Sequence, residues 1–151
     1  VIEAAADHGL AIEVREFPQG TKTAADAAAA IGCAVAAIVK SLVFVVDDRP
    51  VVALVPGDRR LDQTRLAAAA GGGAVRRATL EEVRASTGYA AGGTPPFGYP
   101  ARLEVFADAA LRRSDPVWAA AGTPSSVFPI TVADLDRLSQ PKWAVLSSGG
   151  P

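Results

Sequence analysis

Along this 151-residue chain the spacing of apolar positions alternates between every third or fourth residue and every second one, over short stretches. That alternation predicts short helices interleaved with short strands, a mixed α/β domain rather than a bundle or a sandwich. Val1 to His8 reads as a helix ended by Gly9, and Ala11 to Phe17 as a strand ended by Pro18. Thr23-Ala24-Ala25-Asp26 has capping-box spacing ahead of an alanine-rich helix that runs to Ile31 and stops at Gly32. Ile38 to Val46 and Val51 to Val55 are β-branched runs joined by Asp47-Asp48-Arg49-Pro50, which predicts a hairpin.

Leu61 to Ala70 reads as a second alanine-rich helix closed by Gly71-Gly72-Gly73, with a short strand at Ala74 to Arg77 after it. Thr79-Leu80-Glu81-Glu82 caps a helix ending at Thr87-Gly88. Arg102 to Phe106, Val117 to Ala121, Val127 to Ile130 and Trp143 to Leu146 suit strands, and Thr131 to Asp134 opens a last helix to Leu138. Adjacent prolines between glycines make Gly92-Gly93-Thr94-Pro95-Pro96-Phe97-Gly98 a shaped loop, since neither helix nor central strand accepts them. No repeat, linker or composition shift divides the chain. The expectation is one α/β domain over 1–151, a single mixed-sheet domain with short helices packed around it, with a tail that frays from Ser147 to Pro151.

Composition narrows the chemistry. Half the residues are hydrophobic, enough for one core without disulfides or metals, and the formal charge of -1 lacks the basic excess of a protein that grips duplex DNA. With one cysteine, Cys33, and one histidine, His8, the chain assembles neither a disulfide framework nor a Cys/His zinc cluster. Nucleophilic triads would have to recruit His8, whose setting reads as a helix end. No cofactor is expected. No apolar run has spanning length and no signal peptide is visible, so the expectation is a cytoplasmic protein without a membrane partner. With no methionine and a start at Val1, native residues are expected ahead of it.

Against this background Lys40 is out of place. Only Lys22, Lys40 and Lys142 are lysines among 15 basic residues, and Lys40 shares its strand face with Ile38, Leu42 and Phe44 while Val39, Val43 and Val45 take the other. A lysine there either snorkels to a sheet edge or ends in a cavity where its ammonium meets an anion. The Gly92 to Gly98 loop is a second candidate, because glycines bring backbone close to a ligand and prolines hold the shape. Gly122-Thr123-Pro124, at the end of a strand, is a third and weaker candidate, for which a plain turn is the favoured explanation. Asp134 is accounted for by its capping position. The pairs Arg59-Arg60, Arg76-Arg77 and Arg112-Arg113 read as solvated surface without a site role.

Taken in order, these segments resemble the YbaK family of aminoacyl-tRNA deacylases, related to the editing domain inserted in bacterial prolyl-tRNA synthetases. The resemblance rests on Ile38-Val39-Lys40-Ser41-Leu42-Val43-Phe44, on Thr87 to Gly98, and on Gly122 with Asp134-Leu135, and it runs from about Thr21 to Leu146. It implies a stand-alone enzyme that hydrolyses the ester of a mischarged tRNA, without metal or cofactor. Lys40 and Gly92 fall on the catalytic positions, the lysine holding the terminal nucleotide or the ester and the Gly-x-x-x-Pro loop placing the water, with help from a ribose hydroxyl of the tRNA. Gly93, Thr94, Pro96, Phe97, Gly98, Gly122 and Thr123 fall on substrate-binding positions.

Relatives that act on cysteinyl-tRNA carry an acidic residue at a position where Val127 stands here, so the resemblance points away from cysteinyl-tRNA as the main substrate. It leaves alanyl-, seryl- and threonyl-tRNA open. The implied partners are the acceptor end of an aminoacyl-tRNA and, beyond it, an aminoacyl-tRNA synthetase. Two rival readings stand beside this one: a non-catalytic module that binds aminoacyl ends or a synthetase, and a DNA-binding protein. The near-neutral charge and the lack of a helix-turn-helix pattern oppose the second.

Overall fold

A computed structural model describes residues 1–17 and 23–148. The predicted stop at Pro18, Lys22 and the last three residues of the expected tail lie outside the described residues. The helices are α1 (Ile2–Ala6), α2 (Ala24–Ile31), α3 (Gln63–Ala69), α4 (Leu80–Thr87) and α5 (Val132–Ser139). The strands are β1 (Arg15–Glu16), β2 (Val39–Val46), β3 (Arg49–Pro56), β4 (Arg60–Leu61), β5 (Val75–Arg77), β6 (Glu104–Asp108), β7 (Val117–Ala120), β8 (Ser126–Ile130), β9 (Lys142–Ala144) and β10 (Ser147–Ser148). No described helix is long and apolar enough to cross a membrane.

The principal sheet is mixed and five-stranded, in the order β5-β2-β3-β6-β9, antiparallel around β2 and parallel from β3 through β6 to β9. To this mixed sheet the fold adds an antiparallel three-stranded sheet, β1-β8-β7, and a β4–β10 pair. The β2–β3 turn is tighter than the four polar residues suggest. Asp47 and Asp48 make it alone, both at positive φ, as a two-residue hairpin turn demands. Pro50 then sits inside β3 opposite Val45, where no neighbour needs its missing N–H, because β6 joins β3 only from Val51 onward.

Alternation along β2 and β3 splits the core. Val39, Val43, Val52 and Leu54 face a cluster shared with Val83, Phe97, Phe128 and Leu135, whereas Phe44, Val46, Val51, Ala53 and Val55 pack under Leu66 with Phe106 and Leu146. Ile38 leaves the pattern because the strand begins one residue later. It packs instead with Ala27 and Ala28 of α2 and bridges to Trp118.

Helix ends follow the chemistry of their caps. Thr79 and Glu82 form a complete capping box, and Thr23 and Thr131 accept from Asp26 N–H and Asp134 N–H. For α3 the cap is Asp62, which accepts from Thr64 and Arg65, so Leu61 belongs to β4 rather than to the helix. The predicted strand over Ala11 to Phe17 shrinks to Arg15–Glu16, the only stretch with a partner strand in β8. Nor does the chain fray at Ser147. Ser147 and Ser148 pair with Leu61 and Arg60, and the buried Asp108 carboxylate accepts from Ser147 Oγ and Leu146 N–H.

Gly57, just after β3, is fixed by space alone. A methyl group there would stand 2.7 Å from the Val35 carbonyl and 2.8 Å from Ala24 Cβ. Gly57→Ala is expected to cost about 1–3 kcal/mol through overpacking against α2, and a thermal melt should show Tm lower by roughly 3–10 °C. An unchanged melt would mean that α2 shifts freely.

Candidate active site

Strand β5 covers only Phe44 to Val46 of β2, and then the chain turns away at Ala78, whose N–H donates to the Val43 carbonyl at 3.1 Å. The β2 edge from Val39 to Leu42 therefore stays open on that side. By strand alternation the N–H and C=O of Ser41 point the same way as those of Val43, away from β3 and into the gap. A cavity of about 320 Å3 occupies this gap, walled by Val39, Lys40, Ser41 and Leu42 of β2, Ala24 and Ala27 of α2, Trp118 to Ala120 of β7, and the turn at Gly92 and Thr94.

Lys40 shares its face of β2 with Leu42 and Phe44 and lies opposite Val55. Its ammonium donates to the Arg59 carbonyl at 2.5 Å, which draws the side chain to the cavity wall instead of into the core. Burial pushes the ammonium below the usual lysine value; Asp58 opposes that shift, and Arg60 and Arg77 add to it. Among the described residues, no Asp or Glu lines the cavity. Lys40 is a half-buried cation that faces open space.

The glycine–proline loop divides into two working halves. Gly92, at φ +87°, and Thr94 line the cavity. Gly93 N–H is committed to the Ala90 carbonyl at 3.0 Å, and Thr94 Oγ1 donates to that same carbonyl at 3.2 Å, so these contacts close the turn. Gly93 has no room for a side chain, since a Cβ would stand 2.9 Å from the Thr123 backbone. The second half turns the other way. Phe97 inserts into the core and meets Phe128 edge to face at 5.9 Å, while Tyr99 Oη and Ser139 Oγ donate to the Pro95 and Pro96 carbonyls at 2.7 and 2.9 Å.

The structure thus brings Lys40, Gly92 and Thr94 to one cavity and leaves Pro96, Phe97 and Gly98 on another, a hollow of about 750 Å3 that His8 also borders. The double proline keeps the segment out of any regular element, and beyond Thr94 it is held instead by Tyr99, Ser139 and the docked Phe97. Gly122 and Thr123 do not line the cavity either. Gly122 lies under the Tyr89 ring at φ +107°, and Thr123 closes the β7–β8 turn through its hydroxyl contact with Ser126 Oγ at 2.7 Å. Their neighbours Pro124, Ser126 and Val127 reach the cavity instead. His8 meets the carbonyl of Ala4 at the exposed end of α1, remote from Lys40.

Sequence reasoning passed over Ser41, Arg77 and Trp118, all of which line the cavity. Ser41 is the one polar side chain of β2 besides Lys40, and its buried Oγ has no hydrogen-bond partner among the described residues. Trp118 carries the Arg15 guanidinium 4.9 Å above its ring. In the sequence Arg77 reads with Arg76 as a surface pair.

Fold and site together define a small α/β domain with a pocket at an open strand edge that, among the described residues, is lined by cations and by no carboxylate. The family model described as aminoacyl-tRNA editing domain matches residues 18–138, and the chain belongs to that family. A solved structure, "Crystal structure of a putative trans-editing enzyme for prolyl tRNA synthetase", is 43% identical, superposes with a TM-score of 0.86, and is matched over 91% of this chain and 87% of its own. A proline–tRNA ligase of Nitratidesulfovibrio vulgaris is 39% identical over 61% of this chain, which spans only 16% of the ligase. The "Putative Cys-tRNA(Pro)/Cys-tRNA(Cys) deacylase EbsC" of Enterococcus faecalis is 39% identical over 50% of this chain and 47% of its own length.

Proposed function

We propose that this chain is a stand-alone deacylase that acts in trans on mischarged tRNA, hydrolysing the ester between the amino acid and the terminal ribose. The observation that carries the reading is the convergence of the Lys40 ammonium and the Gly92–Thr94 turn on one cavity. The acceptor end enters along the open edge of β2, and the ester carbonyl faces Lys40. A fixed positive charge in a water-poor site stabilises the oxyanion that forms when water attacks. Backbone groups of Gly92 and Thr94 hold that water, and a ribose hydroxyl of the tRNA assists the transfer of its proton.

Size supports a small amino acid. A recess of about 80 Å3 opens from the cavity between Ser41, Leu42, Arg77, Gly92 and Thr94, backed by Val43, Ala78 and Val83. That volume is about two to three times a water's share of the liquid, which suits the side chain of alanine, serine or threonine. Val127 puts an apolar surface on the cavity wall, in keeping with a main substrate other than cysteinyl-tRNA.

The test is a panel of tRNAs charged separately with alanine, serine, threonine, cysteine and proline, followed for loss of the ester. Alanyl, seryl or threonyl esters should disappear faster than in buffer, and prolyl esters should persist. If the protein binds the panel and spares every ester, it is a binding module. A pH series adds an independent check. The ammonium form of Lys40 does the work and its folded-state value is depressed, so the enzyme-dependent rate should fall at an alkaline pH below the usual lysine value of 10.5.

A further inference from the structure

Arg77 stands at the last paired position of β5, opposite Phe44, and its guanidinium lies 6.0 Å from the Phe44 ring centroid. It therefore shares the face of β2 that carries Leu42 and Lys40. Lys40 and Phe44 are four residues apart on that strand, roughly 13 Å, so the two cations border the open edge at its opposite ends. Both line the main cavity, and Arg77 also lines the recess beside it.

The two arginines of this pair differ in their counter-charges. Arg76 is held by Glu82 through both guanidinium nitrogens, at 2.7 and 2.8 Å. Arg77 has no carboxylate partner among the described residues and borders a cavity that no described carboxylate lines. Its position at the rim also differs from that of Lys40, which is half-buried and tied to the Arg59 carbonyl.

An aminoacylated acceptor end brings two groups to such a cavity. The ester must go deep, where water is controlled, but the phosphodiester leads back to the body of the RNA and must stay at the rim. A planar guanidinium offers paired N–H donors that match phosphate oxygens, whereas an ammonium offers a compact point charge. We propose that Arg77 is the phosphate ligand of this site and holds the 5′-phosphate of the terminal nucleotide, leaving Lys40 for the ester. This division of labour rests on the deacylase reading but concerns binding alone.

The test compares equilibrium binding of adenosine 5′-monophosphate and adenosine by NMR titration, with no catalysis involved. Wild type should prefer the monophosphate by about tenfold or more, the scale of one charge-assisted contact. Arg77→Gln should bring the two ligands to near parity, Arg77→Lys should restore part of the preference, and Lys40→Ala should keep it. With an acceptor-stem minihelix, Arg77→Gln should also reduce the slope of log affinity against log salt by about one. A preference that survives Arg77→Gln, or that vanishes in Lys40→Ala alone, overturns the assignment, as does a wild type that binds both ligands equally. If instead the phosphate preference depends on Arg77 and no charged tRNA in the panel is hydrolysed, the deacylase reading falls while the phosphate site stands.

Discussion

Lys40→Ala should yield a folded, soluble protein whose single-turnover deacylation of its best tRNA is slower by about two orders of magnitude or more, the scale of losing one preorganised electrostatic contact. Stability should hold or rise. Burial already pushes the Lys40 ammonium below 10.5, so the folded state disfavours the charge that the unfolded chain carries freely. The sign follows from proton counting. Between the depressed folded value and 10.5 the unfolded chain binds more protons, so wild-type stability rises with pH across that window and Lys40→Ala removes the rise. The Arg59 carbonyl that loses its donor belongs to a half-buried residue, and a water is expected to replace the ammonium there. Lys40→Arg should rescue poorly, because a longer planar head does not replace a compact ammonium drawn against that carbonyl. Circular dichroism and melts at two pH values, run beside the rates, separate the two effects. A folded Lys40→Ala protein within a few-fold of wild type would remove the lysine from the mechanism.

What could be read in advance was whatever is written locally. Caps, left-handed glycines and β-branched runs located all five helices, the β2–β3 hairpin and the irregular loop to within a residue or two, because each depends on neighbours along the chain. A conspicuous lysine in an apolar strand was legible for the same reason. Pairings that depend on distant segments were not: β1 needs β8, and β4 and β10 need each other, so the first read as a longer strand and the last as a loose tail. The site failed in the same way at Arg77. Nothing in Arg76-Arg77 says that Glu82 neutralises one and that the strand edge aims the other at a cavity. Likewise the glycine–proline run announces a rigid shape, but only the docked Phe97 and the two hydroxyl donors reveal which half faces the cavity.

Gly92→Ala should separate a working turn from a merely tight one. At φ +87° an alanine is strained, and its methyl group would meet nothing nearer than Pro124 at 4.0 Å, so the cost is conformational rather than steric. That cost is about 1–2 kcal/mol if the backbone stays in place. The strain relaxes most readily by rotating the peptides on either side of Gly92, which are the groups bordering the cavity beside Thr94. A displacement near 1 Å at a positioning group is enough for about a hundredfold in rate, so activity should drop by one to two orders of magnitude while the fold survives. Gly88→Ala supplies the control. Gly88 closes α4 at φ +82°, with its would-be methyl group 3.5 Å from Pro100, and it does not line the cavity, so an alanine there carries comparable strain away from the substrate. Melting temperatures should fall by similar amounts in the two variants, and deacylation should fail only in Gly92→Ala. Should the two lose rate in the same proportion as they lose stability, Gly92 serves only to turn the chain, and the water must be held by another part of the cavity wall.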